Sequence, residues 1–225
     1  MKKRIPLPQE PIYEMDAVTQ YDKGAKYYIM PEYKYFVWKI LRKGTRNGRI
    51  LDVGTGSGLL AIELAKSKNG KHFDIVAIDI SENMLRKARE NAKNAGVADR
   101  IEFLHCTAAA LPFRHDYFDA VISYASLHHW FKPVAVFDEV ARVVKDSGNV
   151  IIRDNKRVYQ NPFWKCIIWF ISLFMNKRHR ENWPKAILAS YTIPEIENLL
   201  SQSQLHNCRV ISDFLFIDLS IESKR

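Results

Sequence analysis

The sequence predicts a doubly wound α/β fold, with a seven-stranded, mostly parallel sheet, an antiparallel edge strand and a helical insertion. Short runs rich in Ile and Val alternate with helical segments from about residue 49 to residue 153. Such alternation is typical of parallel sheets with right-handed crossovers. Three glycines follow the first of these runs and precede a helix. The alternation stops after residue 154 and resumes near residue 194, which indicates an insertion.

Each element has a local signature. Pro31 suits the first turn of a helix, Ser81 is a good N-cap, and Gly96 ends the helix that Ser81 begins. The predicted strands are 49–53, 74–80, 101–105, 118–124, 150–153, 209–212 and 214–220. The predicted helices are 31–43, 59–68, 81–94, 133–145 and 194–201. Because only a short link separates the last two strands, we expect them to pair antiparallel.

Four segments organise the 225 residues. Residues 1–30 form an N-terminal arm or lid, and the prolines and missing apolar period of its first twenty or so residues predict an extended or partly ordered segment. Residues 31–154 form the cofactor-binding α/β core. Residues 155–190 form a helical insertion that caps the substrate, and residues 191–225 complete the sheet.

The positive charge is concentrated outside the predicted core. The chain has a net charge of +9, of which residues 1–49 carry +6 and residues 153–190 carry +6, whereas residues 50–152 carry −1. Excess positive charge indicates contact with an anionic partner but says nothing about the fold. The arm and the insertion are therefore the segments expected to meet such a partner.

The cysteines and the apolar runs predict a reduced, cytoplasmic protein. Cys106, Cys166 and Cys208 stand far apart, which argues against a disulfide framework or a thiolate zinc site. The basic start of the chain lacks the apolar stretch of a signal peptide. The longest apolar run, 163–175, contains a lysine and is shorter than the roughly 20 residues of a transmembrane helix.

The glycine loop LDVGTGSG, residues 51–58, points to one ligand. Its third glycine falls one residue earlier than a dinucleotide GxGxxG motif requires, and it lacks the Lys of a phosphate-binding P-loop. Asp52 before the loop would repel a pyrophosphate but accept hydrogen bonds from an ammonium group. Asp79, at the end of the second strand, suits the hydroxyls of a ribose. An amino acid and a ribose in one crevice indicate S-adenosylmethionine.

The chain resembles the class I S-adenosylmethionine-dependent methyltransferases, in their small-molecule, methyltransferase type 11-like branch. The motifs that carry the resemblance are LDVGTGSG (51–58), DISENMLRKA (79–88), LPFRHDYFDAVIS (111–123), SLHHW (126–130) and EVARVVKDSGNVII (139–152). The resemblance implies a Rossmann-like methyltransferase fold, S-adenosylmethionine as cofactor, S-adenosylhomocysteine as product and a small-molecule acceptor. The implied cofactor site comprises Tyr21, Tyr28, Asp52, Gly54, Thr55, Gly56, Gly58, Asp79, Ile80, Met84, Thr107, Ala108, Ser123 and Tyr124.

Within that site, the resemblance assigns the methionine end to Asp52 and the glycine loop, and the ribose to Asp79. Met84 and the backbone N–H of Ala108 would contact the adenine, Ser123 and Tyr124 would lie near the sulfonium, and Tyr21 and Tyr28 would close over the cofactor. One position departs from the family pattern. Thr107 stands where an Asp commonly accepts from the adenine amino group, and a hydroxyl accepts more weakly than a carboxylate.

His128, His129 and Tyr124 are the candidate catalytic residues. An imidazole suits removal of a proton from a hydroxyl or thiol acceptor, and the alternative is that the LHH turn is structural. Tyr124 would face the cationic methyl group or simply pack at the strand end. Adjacent histidines point apart, so we expect no metal site.

The apolar helix 163–175 and the basic residues 177–180 allow three interpretations. They would contact a hydrophobic or anionic substrate, a membrane surface, or only the sheet edge. Three other functions stay open: an RNA or tRNA methyltransferase, a nicotinamide oxidoreductase, and a non-catalytic cofactor-binding protein. The acceptor atom stays open as well, because O-, N-, C- and S-methylation use the same core.

Overall fold

The computed structural model describes residues 4–7, 14–45, 47–158, 162–175, 177–213 and 215–221. It contains a seven-stranded sheet in the order β3-β2-β1-β4-β5-β7-β6. The strands are β1 (Gly48–Val53), β2 (Phe73–Asp79), β3 (Ile101–His105), β4 (Phe118–Tyr124), β5 (Val144–Asn155), β6 (Arg209–Ser212) and β7 (Phe216–Ile221). The strands β1 to β5 run parallel, and β7 pairs antiparallel with both β5 and β6. The predicted fold class is confirmed.

Eight α-helices of the described chain flank this sheet. They are α1 (Met15–Gly24), α2 (Met30–Arg42), α3 (Leu59–Lys66), α4 (Glu82–Asn94), α5 (Pro133–Val143), α6 (Pro162–Ser172), α7 (Lys177–Ala189) and α8 (Ile193–Ser201). A π-helical turn, Ala25–Ile29, joins α1 to α2. None of the described helices is long and apolar enough to span a bilayer.

Two hydrophobic cores cover the two faces of the sheet. On one face, α2 and α3 pack against side chains such as Ile50 and Ile122. On the other, α5 and α8 pack against Leu51 and Val121. Successive residues of a strand point to opposite faces, so a strand buried on both sides has a continuous apolar run. This is why each central strand reads as unbroken hydrophobic sequence.

The strand order creates a crevice at the carboxyl edge of the sheet. The chain leaves β1 toward β2 and β3 on one side, and later builds β4 and β5 on the other. In open α/β sheets, ligands bind at such a reversal of strand order. The ends of β1, β2, β4 and β5 therefore define where a site should be sought.

A buried arginine fastens the antiparallel edge to the parallel part of the sheet. Arg153 of β5 is buried, and its guanidinium contacts Asp213 at 2.7 Å and Asp218 of β7 at 2.8 Å. Lys39 of α2 reaches the same Asp218 at 2.6 Å. The ion pairs join one helix and two strands, and they leave the buried guanidinium charge compensated.

The structure differs from the sequence prediction in three elements. Residues 15–24 form a helix instead of an extended or partly ordered segment, and Ala17 and Val18 of this helix are buried. Residues 177–189 form a second helix of the insertion, of which only the basic residues 177–180 were singled out from the sequence. The strand β5 begins at Val144, inside the predicted helix 133–145. Residues 1–3 and 8–13 of the predicted arm lie outside the described residues.

Candidate functional site

The glycine loop that follows β1 adopts a conformation that requires glycine. Gly54, Gly56 and Gly58 have φ angles of 73°, 56° and 79°, which lie in the left-handed region. A Cβ on Gly54 would overlap the Ser126 side chain, and one on Gly58 would approach the Ala88 Cβ at 2.8 Å. A Cβ on Gly56 would meet nothing within 4 Å. The loop is therefore packed at its two ends and open in its middle, where a ligand can approach the backbone.

Asp52 lies at the end of β1 and is almost fully buried. Its carboxylate accepts a hydrogen bond from the Thr55 hydroxyl at 2.7 Å. Burial raises the pKa of Asp52 to about 7, against the hydrogen bond from Thr55 and with the help of the nearby Asp79 carboxylate. Such a raised pKa is typical of a carboxylate that lacks a cation beside it.

Asp79 ends β2, the neighbouring strand. One carboxylate oxygen accepts from the Gly56 backbone N–H at 2.8 Å, and the other accepts from the Ser81 N–H at 2.9 Å. Burial raises the pKa of Asp79, although these backbone hydrogen bonds act in the opposite direction. Each carboxylate oxygen has a second lone pair, so the oriented group can still accept two hydrogen bonds.

The next turn of chain supplies apolar surface beside Asp79. Ile80 is 57% exposed, which is unusual for an isoleucine at the end of a buried strand. Met84 is buried in α4, which Ser81 caps by accepting from the Met84 N–H at 3.3 Å. Thr107 is exposed, and its hydroxyl already accepts from the Ala109 N–H at 3.3 Å. Ala108 directly follows Thr107 and is partly exposed.

Three tyrosines gather beside the two carboxylates. The hydroxyls of Tyr33 and Tyr21 interact, and the Tyr33 ring lies 5.0 Å from that of Tyr124. Burial raises the pKa of all three phenols, and in Tyr21 the charge of Asp79 adds to this. Tyr33 was not among the sequence-predicted site residues. It reads as one apolar position of a helical repeat, so its hydroxyl gave no signal.

The end of β4 is held by a hydrogen bond and by aromatic packing. The Ser123 hydroxyl donates to the Val53 carbonyl at 2.8 Å, and this hydrogen bond joins β4 to β1. The Tyr124 ring also contacts Phe36 and Phe216, with centroids 5.5 Å and 6.1 Å away. Both residues lie at the carboxyl edge of the sheet, and their predicted contact with a sulfonium stays a prediction.

Two segments outside the core sheet meet beside this edge. The His179 ring of α7 stacks on Tyr21 at 5.9 Å and lies 5.6 Å from Tyr28. A Cβ on Gly24 would overlap the same ring, so glycine leaves the space that His179 fills. We call α1, the following π-helical turn, α6 and α7 the cap. This contact was not predicted, because its partners lie more than 150 positions apart in the chain.

Buried Asn91 of α4 links the cap to the glycine loop. Its amide nitrogen donates to Asp22 of α1 at 2.8 Å and to the Ser57 carbonyl at 2.9 Å. Its amide oxygen accepts from Lys26 at 2.7 Å, and Lys26 also contacts Asp22 at 2.7 Å. One side chain therefore fixes the position of α1 relative to the loop.

His128 follows β4 and is buried against Asp154, the next-to-last residue of β5. The Asp154 carboxylate contacts His128 Nδ1 at 2.7 Å and accepts the His128 backbone N–H at 2.8 Å. A carboxylate opposite Nδ1 favours the tautomer that carries the proton on Nδ1, and in that tautomer Nε2 is an acceptor. Asp154 was not predicted. An acid directly after an apolar strand was its one signal in the sequence.

His129 and the rest of the LHHW turn have different surroundings. His129 is exposed at the surface, and desolvation by adjoining protein atoms, followed by the neighbouring His128, lowers its pKa to about 3. Trp130 is buried and donates from Nε1 to the Ser126 hydroxyl at 2.9 Å. Among the described residues, no cluster of three or more His, Cys, Asp or Glu could hold a metal ion.

The N-terminal residues 4–7 pass close to His128. Arg4 donates to the His128 carbonyl at 2.9 Å and to the Ala189 carbonyl at 2.6 Å, and its guanidinium lies 4.2 Å from the Tyr191 ring centroid. Ile5 donates its backbone N–H to the Leu188 carbonyl at 3.3 Å. The start of the chain and the end of α7 therefore enclose the histidine from one side.

The fold and this edge define a class of protein: an α/β domain that binds a nucleoside cofactor between a glycine loop and an acid at the end of the second strand. Residues 51–152 match the family model described as "Methyltransferase domain". This match and the fold are consistent with a class I S-adenosylmethionine-dependent methyltransferase, a family whose cofactor is S-adenosylmethionine.

Individual proteins show the same relationship. An uncharacterized chloroplastic methyltransferase of Arabidopsis thaliana is 37% identical over 109 residues, which are 47% of this chain and 30% of that protein. The ubiquinone/menaquinone biosynthesis C-methyltransferase of Yersinia enterocolitica is 28% identical over 160 residues, 68% of this chain and 63% of that protein. The chain thus spans less than two thirds of the length of either relative.

A solved structure shares the whole fold. A protein of Methanococcus maripaludis described as an S-adenosylmethionine-dependent methyltransferase superposes with a TM-score of 0.73 at 22% sequence identity. The superposition covers 97% of this chain and 97% of that one. At this identity the likeness concerns the fold.

Proposed function

We propose that the protein transfers a methyl group from S-adenosylmethionine to a small-molecule acceptor. The observation that carries this proposal is the pair of carboxylates, Asp52 and Asp79, held at the ends of adjacent strands around an open stretch of glycine backbone. Asp52 would accept from the ammonium group of a methionine end and would repel a pyrophosphate, and Asp79 would accept from a ribose.

The residues present fit the two polar ends of the cofactor. Asp79 is already oriented by two backbone N–H groups, so its remaining lone pairs would accept both ribose hydroxyls at little cost in entropy. Asp52, whose pKa is about 7, would gain from an ammonium group, because an adjacent cation favours the ionised carboxylate. The exposed Ile80 and the backbone of Ala108 would contact the adenine, with Met84 behind them.

Thr107 would make the adenine contact weaker than in relatives that carry an acid there. Its oxygen already accepts one backbone hydrogen bond, and a neutral hydroxyl is a weaker acceptor than a carboxylate. Apolar contacts from Ile80 would therefore contribute a larger share of adenine affinity in this chain.

When bound, S-adenosylmethionine would supply an electrophilic methyl group: in-line attack by the acceptor on the methyl carbon breaks the carbon–sulfur bond and releases S-adenosylhomocysteine. The protein's own contribution is to orient both partners and to exclude water. Tyr21 and Tyr28, held by His179, would cover the cofactor as part of the cap. Residues 1–30 and 155–190 would thus close the site, and residues 31–154 would hold the cofactor.

His128 would remove a proton from the acceptor. With Nδ1 bound to Asp154, its Nε2 has the free lone pair that a general base needs. Asp154 is then a positioning residue, in the role that the acid has in a catalytic triad. Tyr124 and Ser123 would line the path of the methyl group. His129 is the weaker candidate for the base, because a lowered pKa means lower basicity.

The name of the Yersinia enterocolitica relative, a C-methyltransferase of ubiquinone and menaquinone biosynthesis, supports a small-molecule acceptor for this chain. We propose a hydrophobic or anionic small molecule as the acceptor.

Calorimetry with S-adenosylhomocysteine and NADH tests the cofactor. We expect saturable heat with the first ligand and none with the second, and the reverse result would remove the proposal. Incubation with methyl-labelled S-adenosylmethionine and separate pools of lipid extract, polar metabolites and bulk tRNA then tests the acceptor class. Label in the tRNA alone would contradict the small-molecule assignment.

A further inference from the structure

The helix α6 has an unusual distribution of side chains. Its buried side chains include Ile168 and Ser172, which are spaced by one helical turn. Large apolar groups occupy the solvent-facing positions: Trp169 is 63% exposed, Phe170 58%, and Phe174, just after the helix, 70%. The rings of Phe170 and Phe174 contact each other at 5.4 Å, so they form one patch. Ile171 and Leu173 extend that patch along the same stretch of chain.

This pattern is the reverse of an ordinary surface helix. A helix on a globular domain directs its apolar stripe to the core and polar side chains to water. Clustered exposed aromatic side chains on a monomer mark a surface that another body covers. We call the exposed side chains of Trp169, Phe170, Ile171, Leu173 and Phe174 the α6 patch.

Basic residues adjoin the α6 patch. Residues 162–180 contain four basic and no acidic side chains, and residues 153–190 carry a net charge of +6. Lys177 and Arg180 are exposed at the start of α7. Arg180 donates to the Met175 carbonyl at 3.3 Å, which keeps its charge beside the end of the patch.

We propose that the α6 patch docks on the surface of a lipid bilayer with anionic headgroups. Aromatic and aliphatic side chains would enter the boundary between headgroups and acyl chains, and Lys177 and Arg180 would contact the headgroup phosphates. The charge favours this occupant over a second copy of the chain. A symmetric contact between two copies would bring their basic segments together and repel.

The docking concerns where the protein works and is independent of the reaction under Proposed function. Docking would nevertheless affect access to the reaction site, because α6 and α7 belong to the cap. A bilayer against the α6 patch would place the mouth of the site next to a reservoir of lipophilic compounds. Membrane contact and cofactor binding are measured separately, so the two proposals fail separately.

Vesicle sedimentation tests the docking. The full chain is mixed with vesicles of phosphatidylcholine alone, or with roughly one third phosphatidylglycerol, at low and high salt. We expect binding to the anionic vesicles that falls as salt rises. The variant Trp169→Ser/Phe170→Ser/Phe174→Ser should bind at least about tenfold more weakly. The variant Lys177→Glu/Arg180→Glu should also bind the anionic vesicles at least about tenfold more weakly.

The matched control changes three exposed aromatic residues outside the patch, Tyr27→Ser/Trp38→Ser/Phe131→Ser. It should bind vesicles like the unaltered chain, and S-adenosylhomocysteine affinity should be unchanged in the patch variant. Absent binding to anionic vesicles at low salt would overturn the proposal, as would equal losses in patch and control variants. If the unaltered chain is a dimer and the patch variant is a monomer, the patch binds a second copy of the chain instead.

Discussion

The cofactor half of the site and the cap are built on different principles. The cofactor half is made of residues close in sequence, at the ends of β1 and β2, and its segment 50–152 is almost neutral in charge. The cap joins α1 and α7 through aromatic contacts across the length of the chain, and it carries the positive charge. Local motifs at a sheet edge can therefore hold a common ligand, while long-range contacts in a cap decide which other molecules reach that edge.

The largest expected effect lies between the two halves, at His128. Replacing Asp154 with Asn leaves the size of the side chain unchanged but lets an amide N–H face Nδ1, which favours the wrong tautomer of the ring. We expect kcat for the identified acceptor to fall by about 10²-fold or more. Turnover with labelled cofactor measures the rate, and nitrogen NMR of the His128 ring measures the tautomer.

S-adenosylhomocysteine affinity should be unchanged in this variant, because Asp154 is far along the sheet from Asp79. A normal kcat together with a changed tautomer would show that His128 is structural. A loss of cofactor affinity equal to the loss of rate would show that the variant has disturbed the whole edge.

The second expected effect belongs to the cofactor half. Asp79→Ala removes a charged acceptor of hydrogen bonds, so we expect the dissociation constant of S-adenosylhomocysteine to rise by about 10- to 100-fold. Calorimetry measures it. Asp74→Ala is the control, since Asp74 begins the same strand and its side chain is 80% exposed. Equal affinities of the two variants would refute the ribose assignment.

The third effect is a pH dependence centred on Asp52. Its pKa of about 7 exceeds the ordinary 3.8, so the folded chain binds the extra proton between about pH 4 and pH 7. Since the folded state binds more protons in that window, the free energy of unfolding should fall as the pH rises through it. Denaturant titrations at several pH values measure this, and Asp52→Asn should remove that part of the slope.

The same group should make cofactor binding pH-dependent in the opposite direction. An ammonium group requires the ionised carboxylate, so affinity for S-adenosylhomocysteine should fall about tenfold per pH unit below pH 7. Calorimetry from roughly pH 5.5 to pH 8, a range that spans the pKa of Asp52, tests the slope. An Asp52→Asn variant with the same slope would assign it to another group.

The smallest effect belongs to the cap. His179→Ala removes the ring that stacks on Tyr21 and Tyr28, and aromatic pairs of this kind are worth about a two- to tenfold change. We expect S-adenosylhomocysteine to dissociate faster by that factor, as stopped-flow fluorescence would record. Lys185→Ala on the same helix is the control. An unchanged rate in His179→Ala would mean that the cap does not cover the cofactor.

The strands that carry the proposed cofactor half were predicted well because their signals are local. The order of strands, the glycine loop and the acids at 52 and 79 follow from short motifs whose spacing the sheet preserves. The cap was predicted only in part, because the apolar helix at 163–175 was expected and the helix α1 was not. The helix α1 gains its stability from packing Ala17 and Val18 against the core, and three prolines nearby obscured its short apolar repeat.

Side chains that act through tertiary contacts were missed for the same reason. Asn91 is one polar residue on a helix, and His179 lies in a run of charge, so neither shows its partners in the sequence. Asp154 was placed only at a segment boundary, although it orients His128 at 2.7 Å. Contacts between distant residues carry no periodicity, which is what the sequence analysis detects.

The amide of Asn91 makes the start of the chain relevant to the nucleoside. If α1 and the following π-helical turn are trimmed away, Asp22 and Lys26 go with them, and of these hydrogen bonds Asn91 retains only the one to the Ser57 carbonyl. A shortened enzyme that keeps the glycine loop, Asp52 and Asp79 would then have a looser loop and weaker affinity. Designers who transplant this domain into another host should carry the first helix along with the sheet.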